Sequence, residues 1–124
     1  MFDITTTTRG TVPRIAFEAM AKSVLGNSYE LSLVICGDRL AQRMNAEYRK
    51  KTYAPNVLSF PLSTTGGEIF LNMRKAEREA RRSGVSVRAR IALLYVHGLW
   101  HLKGLDHSDR MEAREAATLK AFGF

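Results

Sequence analysis

The chain has 124 residues, with 19 Lys and Arg against 12 Asp and Glu, a formal net charge of +7. This length fills one core rather than two, and 45% hydrophobic with 25% charged residues excludes a disordered chain. The longest unbroken apolar run, residues 91–96, is far short of the ~20 residues of a membrane-crossing helix. The opening MFDITTTTRG has no apolar segment of the kind a secretory signal carries, and the lone Cys36 has no disulfide partner, which suits a reducing cytoplasm. The basic excess points toward a polyanion without requiring one.

Residues 2–8, FDITTTT, are β-branched and predict a first strand. Thr11 is placed to cap a helix running to about Gly26, with Pro13 near its start. Residues 29–36, YELSLVIC, alternate and then turn continuously apolar, as an internal strand does. Asp38 is placed to cap a short helix with Leu40, Ala41 and Met44 on its apolar side. Residues 49–55 show no period, and Pro55 disfavours helix before it. NVLSF at 56–60 predicts a short strand that Pro61 stops; a loop over 62–67 then leads to the strand EIFL at 68–71.

Asn72 is placed to cap the charged helix MRKAEREARRS, which Gly84 ends. Ser86 opens a helix over 87–102 that is apolar on nearly every face and is therefore buried. Gly104 ends that helix, and Ser108 or Asp109 caps a last amphipathic one reaching about Phe122. Strands gather in the first half and helices in the second. The expectation is one α+β domain over 1–124: a short mixed sheet of about four strands, packed with about five helices, one of them central and buried.

All three histidines fall within eleven residues, His97-Gly-Leu-Trp-His101-Leu-Lys-Gly104-Leu-Asp-His107. His97 and His101 are four apart, so a helix projects them from one face, one turn apart. Gly104 can take a left-handed conformation and turn the chain back, bringing His107 toward the other two. Three imidazoles with an open fourth position match catalytic zinc, whereas structural zinc normally has four protein ligands. A lone histidine on an apolar helix is ordinarily a hydrogen-bonded core residue, but three buried imidazoles without a shared partner are costly. Asp106 is placed to orient an imidazole, to cap the last helix, or to face solvent. Trp100, one residue before His101, borders the same helical face. The spacing also occurs in metzincin proteases, which carry a Glu general base directly after the first His. Here Gly98 stands at that position, so peptide hydrolysis by that route lacks its proton acceptor.

The segment His97-Gly98-x-x-His101-Leu102-x-Gly104-x-Asp106-His107 resembles the signature of the bacterial YbeY family, zinc-containing endoribonucleases of ribosomal RNA maturation and ribosome quality control. Met44-Asn45-x-x-Tyr48-Arg49 followed by Asn56-Val57-Leu58-Ser59-Phe60-Pro61 is similar to a second block of the family, Gly67-Glu68-Ile69 to a third, and Met111-x-x-x-Glu115 to its C-terminal helix. The chain departs from the pattern at Pro55, Glu68, Trp100 and Leu105, none of them a metal ligand. The resemblance implies one zinc ion per chain on His97, His101 and His107. It also implies a cytoplasmic protein whose partners are ribosomal RNA and the small ribosomal subunit with its assembly factors.

By the same resemblance Arg49 is the arginine tied to nuclease activity. Phosphoryl transfer needs a cation on the non-bridging oxygens, and guanidinium supplies it bidentately. Lys50 adds phosphate attraction, and Asn56 and Ser59 offer hydrogen bonds to RNA. The basic cluster from Arg74 to Arg90 reads both as a solvated helix face and as a surface for the RNA backbone. The alternative is a ribosome-assembly factor that binds rRNA around a structural zinc and turns over little.

Overall fold

In the computed structural model, which describes residues 1–124, the chain runs β1 (Phe2–Thr6), α1 (Phe17–Leu25), β2 (Glu30–Cys36), α2 (Asp38–Arg49), β3 (Val57–Ser63), β4 (Gly66–Asn72), α3 (Met73–Ser83), α4 (Val87–Leu102) and α5 (Asp109–Ala121). The four strands form one mixed sheet in the order β1-β2-β4-β3. β2 runs parallel to both β1 and β4, and β3 closes a hairpin antiparallel to β4. The expected α+β architecture, with its central buried helix, is the one observed.

Strand periodicity sorts the core into two layers. Leu31, Leu33, Ile35, Ile69 and Leu71 point to one face, where they meet Met20 and Val24 of α1, Met73 and Ala76 of α3, and Ile91, Tyr95 and Leu99 of α4. Cys36, Leu58 and Phe70 point to the other face, against Ala41 of α2. Tyr95 fixes α4 to α1: its hydroxyl donates to the Phe17 carbonyl at 2.6 Å, and the two rings meet edge to face.

Three sequence expectations are corrected. The first helix starts at Phe17, six residues after Thr11, and no side chain caps it. Pro13 restricts the residue before it, and the chain stays irregular through 16. α2 is longer than expected and runs to Arg49; Gly37 takes the N-cap position. The Asp38 carboxylate instead accepts from Asn72 Nδ2 and Arg78, joining α2 to α3. Nor does Pro61 stop β3, which continues to Ser63 with an irregularity between Pro61 and Ser63. β3 is an edge strand. Because Asn72 N–H donates to the Asn56 carbonyl, the odd-numbered residues of β3 turn their backbone polar groups to the open edge. The N–H that Pro61 lacks would have had no ladder partner.

The helix ends after β4 match expectation. The side chains of Asn72, Ser86 and Ser108 accept from the N–H of Lys75, Ala89 and Met111, and Gly84 ends α3 in the left-handed conformation. No helix is long and apolar enough to cross a membrane.

Candidate metal centre

The last turns of α4 carry His97 and His101 outward from the core, while Leu99 between them and Val96 just before them are fully buried. Gly104 follows at φ 103°, the αL-side backbone that reverses the chain before Ser108 caps α5. This reversal lays His107 over the first two imidazoles. The three ring centroids lie 4.5, 4.7 and 4.9 Å apart, and one ligating atom from each residue falls within 4.8 Å of the others.

The inner pair is closer still, with His97 Nε2 3.1 Å from His101 Nε2. Metal–nitrogen bonds of about 2.0–2.1 Å in a tetrahedral site place donor atoms roughly 3.3 Å apart, so this pair already stands at ligand spacing. The ring of His97 is oriented from behind by α5, where Glu115 Oε2 accepts from Nδ1–H at 2.5 Å. A proton on Nδ1 leaves the Nε2 lone pair facing the other two rings. Burial, reinforced by the charges of His97 and His107, pushes the His101 imidazole below its ordinary range; the Leu105 backbone and Asp106 act weakly the other way. Burial and the two neighbouring rings thus favour the neutral imidazole at His101, the form that binds a cation.

The histidines close one end of a groove of about 840 Å3 between the open edge of β3 and α4. Arg49 lines it, exposed and without an ion pair. Asn56 and Ser59 line it as well, yet both have structural partners: Asn56 Nδ2 donates to the Glu79 carboxylate, and Ser59 Oγ donates to the Gly98 carbonyl at 3.1 Å. The latter bond stitches the edge strand to the histidine helix.

Three residues singled out in the sequence, Lys50, Asp106 and Trp100, do not face the imidazoles or the groove. Lys50 is not part of the groove lining; it ends α2 at φ 58°, and its Nζ turns back to the Glu47 carbonyl. Asp106 is exposed and makes no hydrogen bond to an imidazole, because that place is taken by Glu115. Trp100 also turns away, its Nε1 donating to Thr118 Oγ1 of α5, since that stripe of α4 is where α5 packs. Two groove cations, Lys75 of α3 and Arg90 of α4, were legible only as members of the basic cluster; Arg90 is paired with Glu79, 2.9 Å away. Glu115 carries a signal in the sequence itself. It falls in the buried stripe Met111–Glu115–Thr118 of α5, and a carboxylate on a buried stripe calls for a partner.

The fold has a solved counterpart. The solution structure of a Thermotoga maritima protein superposes with a TM-score of 0.70 at 20% identity, over 97% of this chain and 87% of that one. Curated sequence relatives named Endoribonuclease YbeY include that of Thiobacillus denitrificans, 39% identical over 81% of this chain and 75% of its own length. That of Verminephrobacter eiseniae is 34% identical over 99% of this chain and 85% of its own. The family model described as Endoribonuclease YbeY matches residues 3–123, so this chain belongs to the YbeY family.

Proposed function

We propose that this protein is a metal-dependent endoribonuclease that cuts single-stranded RNA in the maturation and quality control of ribosomal RNA. The observation that carries the reading is the convergence of three imidazoles on one point of a groove that also presents the unpaired Arg49. The family name supports the reaction class.

The donor set fits one zinc ion per chain on His97, His101 and His107: three imidazole nitrogens within 4.8 Å of one another, with the carboxylate of Glu115 fixing one ring. When bound, the ion supplies Lewis acidity toward a phosphodiester oxygen. Arg49 holds the non-bridging oxygens of the same phosphate and stabilises charge that grows on them during transfer. Lys75 and Arg90 raise the positive potential along the groove, although Arg90 is largely neutralised by Glu79. Asn56 and Ser59 shape the groove wall and leave their acceptor atoms for the RNA. Lys50 adds to the diffuse positive field outside it. The protein works in the cytoplasm, with ribosomal RNA, the small subunit and its assembly factors as partners.

The test is cleavage of a single-stranded RNA by protein of verified metal content, beside Arg49→Ala and His97→Ala. Arg49→Ala keeps its metal and fold and loses on the order of 10²-fold or more in rate, the usual cost of one transition-state charge contact. His97→Ala is inactive. Equal cutting by wild type and His97→Ala overturns the nuclease reading in favour of an rRNA-binding assembly factor, in which Arg49→Ala only weakens affinity in a salt-dependent way.

A further inference from the structure

The segment between α2 and β3 is irregular, yet it is pinned more tightly than an ordinary loop. Four consecutive carbonyls are each held by a side chain from the body of the protein. Gln42 Nε2 donates to Thr52 O at 2.8 Å, Asn45 Nδ2 to Tyr53 O at 3.0 Å, Lys75 Nζ to Ala54 O at 2.7 Å, and Asn72 Nδ2 to Pro55 O at 3.1 Å. Loop carbonyls normally turn to water. Taking all four from α2, β4 and α3 fixes the path of this segment before any ligand arrives.

That path holds Tyr53 at the groove. The ring lines the groove, belongs to neither apolar core cluster and is 50% exposed, so core packing does not account for it. The Lys75 ammonium lies 5.5 Å from the ring centroid, tethered there by its bond to Ala54. Arg49, the groove's unpaired guanidinium, immediately precedes the pinned segment. A rigid, half-open aromatic face between cations is the combination that binds single-stranded nucleic acid, with the ring under a base and the cations on the backbone.

Its place along the groove is set by two rulers. From Ser59, bonded to Gly98, three residues of β3 lead back to Asn56, roughly 10 Å. From His97, seven residues of α4 lead back to Arg90, again roughly 10 Å, and Glu79 joins Arg90 to Asn56. Tyr53 precedes Asn56 by three residues on the pinned segment and is no part of the histidine cluster. We infer that Tyr53 is a stacking platform for an unpaired base of a nucleotide neighbouring the one whose phosphate is cut. The inference rests on the groove being an RNA site. It makes the pinned segment a device for choosing unpaired RNA, because a base held in a duplex cannot reach the ring.

The experiment measures binding and cleavage separately. Fluorescence anisotropy gives the affinity of wild type, Tyr53→Ala and Tyr53→Phe for a short single-stranded RNA and for the same RNA carrying one abasic site, moved position by position. Tyr53→Ala weakens binding, and raises KM rather than lowering kcat, on the order of 10-fold. Tyr53→Phe restores what Tyr53→Ala loses. One abasic position reproduces the loss in wild type and adds nothing to it in Tyr53→Ala. If wild type binds in this Tyr53-dependent way but does not cut, the nuclease reading fails and the stacking inference stands. Unchanged affinity in Tyr53→Ala, additive losses, or no binding of single-stranded RNA by wild type overturns it.

Discussion

Gly98→Ala offers a test of packing in which the intrinsic preference and the tertiary environment pull in opposite directions. Gly98 lies within α4, and on an exposed helix the substitution would stabilise by about 1 kcal/mol. Here a Cβ would stand 3.0 Å from Ser59 Oγ and 3.2 Å from Ile69 Cδ1. Ile69 cannot yield: it is fully buried in β4, between β2 and β3. Ser59 Oγ can rotate away only by giving up its bond to the Gly98 carbonyl, a further loss of about 1 kcal/mol. Overpacking of this kind costs about 1–3 kcal/mol, so the net effect is a destabilisation of about 1–3 kcal/mol. For a chain of 124 residues that lowers Tm by roughly 4 °C or more. Thermal unfolding followed by circular dichroism reads it directly. A Gly98→Ala protein with unchanged or higher Tm would show that α4 does not press on the sheet as described.

Removing the orienting carboxylate with Glu115→Ala frees the His97 ring and lowers zinc affinity about 10–100-fold in a chelator-competition titration; undiminished affinity contradicts the role given to Glu115. Asp38, with hydrogen bonds from Arg78 and then Asn72, has its carboxyl lowered from 3.8 to about 2. A carboxyl depressed in the folded state contributes stability above the unfolded value and loses it as pH falls, here between about pH 4 and pH 2. Since 42% of that side chain is exposed, solvent screening leaves about 1 kcal/mol. Asp38→Asn is therefore less stable at neutral pH, and its stability changes less between pH 4 and pH 2; parallel acid-unfolding profiles for the two proteins refute the assignment.

The parts of the fold that sequence made legible are those set locally. The caps Asn72, Ser86 and Ser108, the glycine at 84, and the all-round apolar character of residues 87–102 each announce themselves within a few residues. The histidine cup is legible for the same reason: a one-turn spacing and a glycine reversal are local geometry. What stayed hidden depends on partners distant in the chain. Pro61 reads as a stop until β3 is known to be an edge strand. Asp106 is the nearest carboxylate to the imidazoles in sequence, yet Glu115, eighteen residues from His97, reaches it because α5 folds back along α4. Lys50 resembles a phosphate ligand beside Arg49, but the left-handed residue that ends a helix points elsewhere than the last residue in it. The pinning of residues 52–55 by side chains from three elements has no local signature at all.

The claim on which the account turns is that His97, His101 and His107 together hold one divalent ion. Elemental analysis of the purified protein beside His101→Ala tests it most directly. The account predicts about one zinc per chain in wild type and a loss of that metal in His101→Ala, with both proteins folded by circular dichroism. Full zinc occupancy in a folded His101→Ala protein would contradict it.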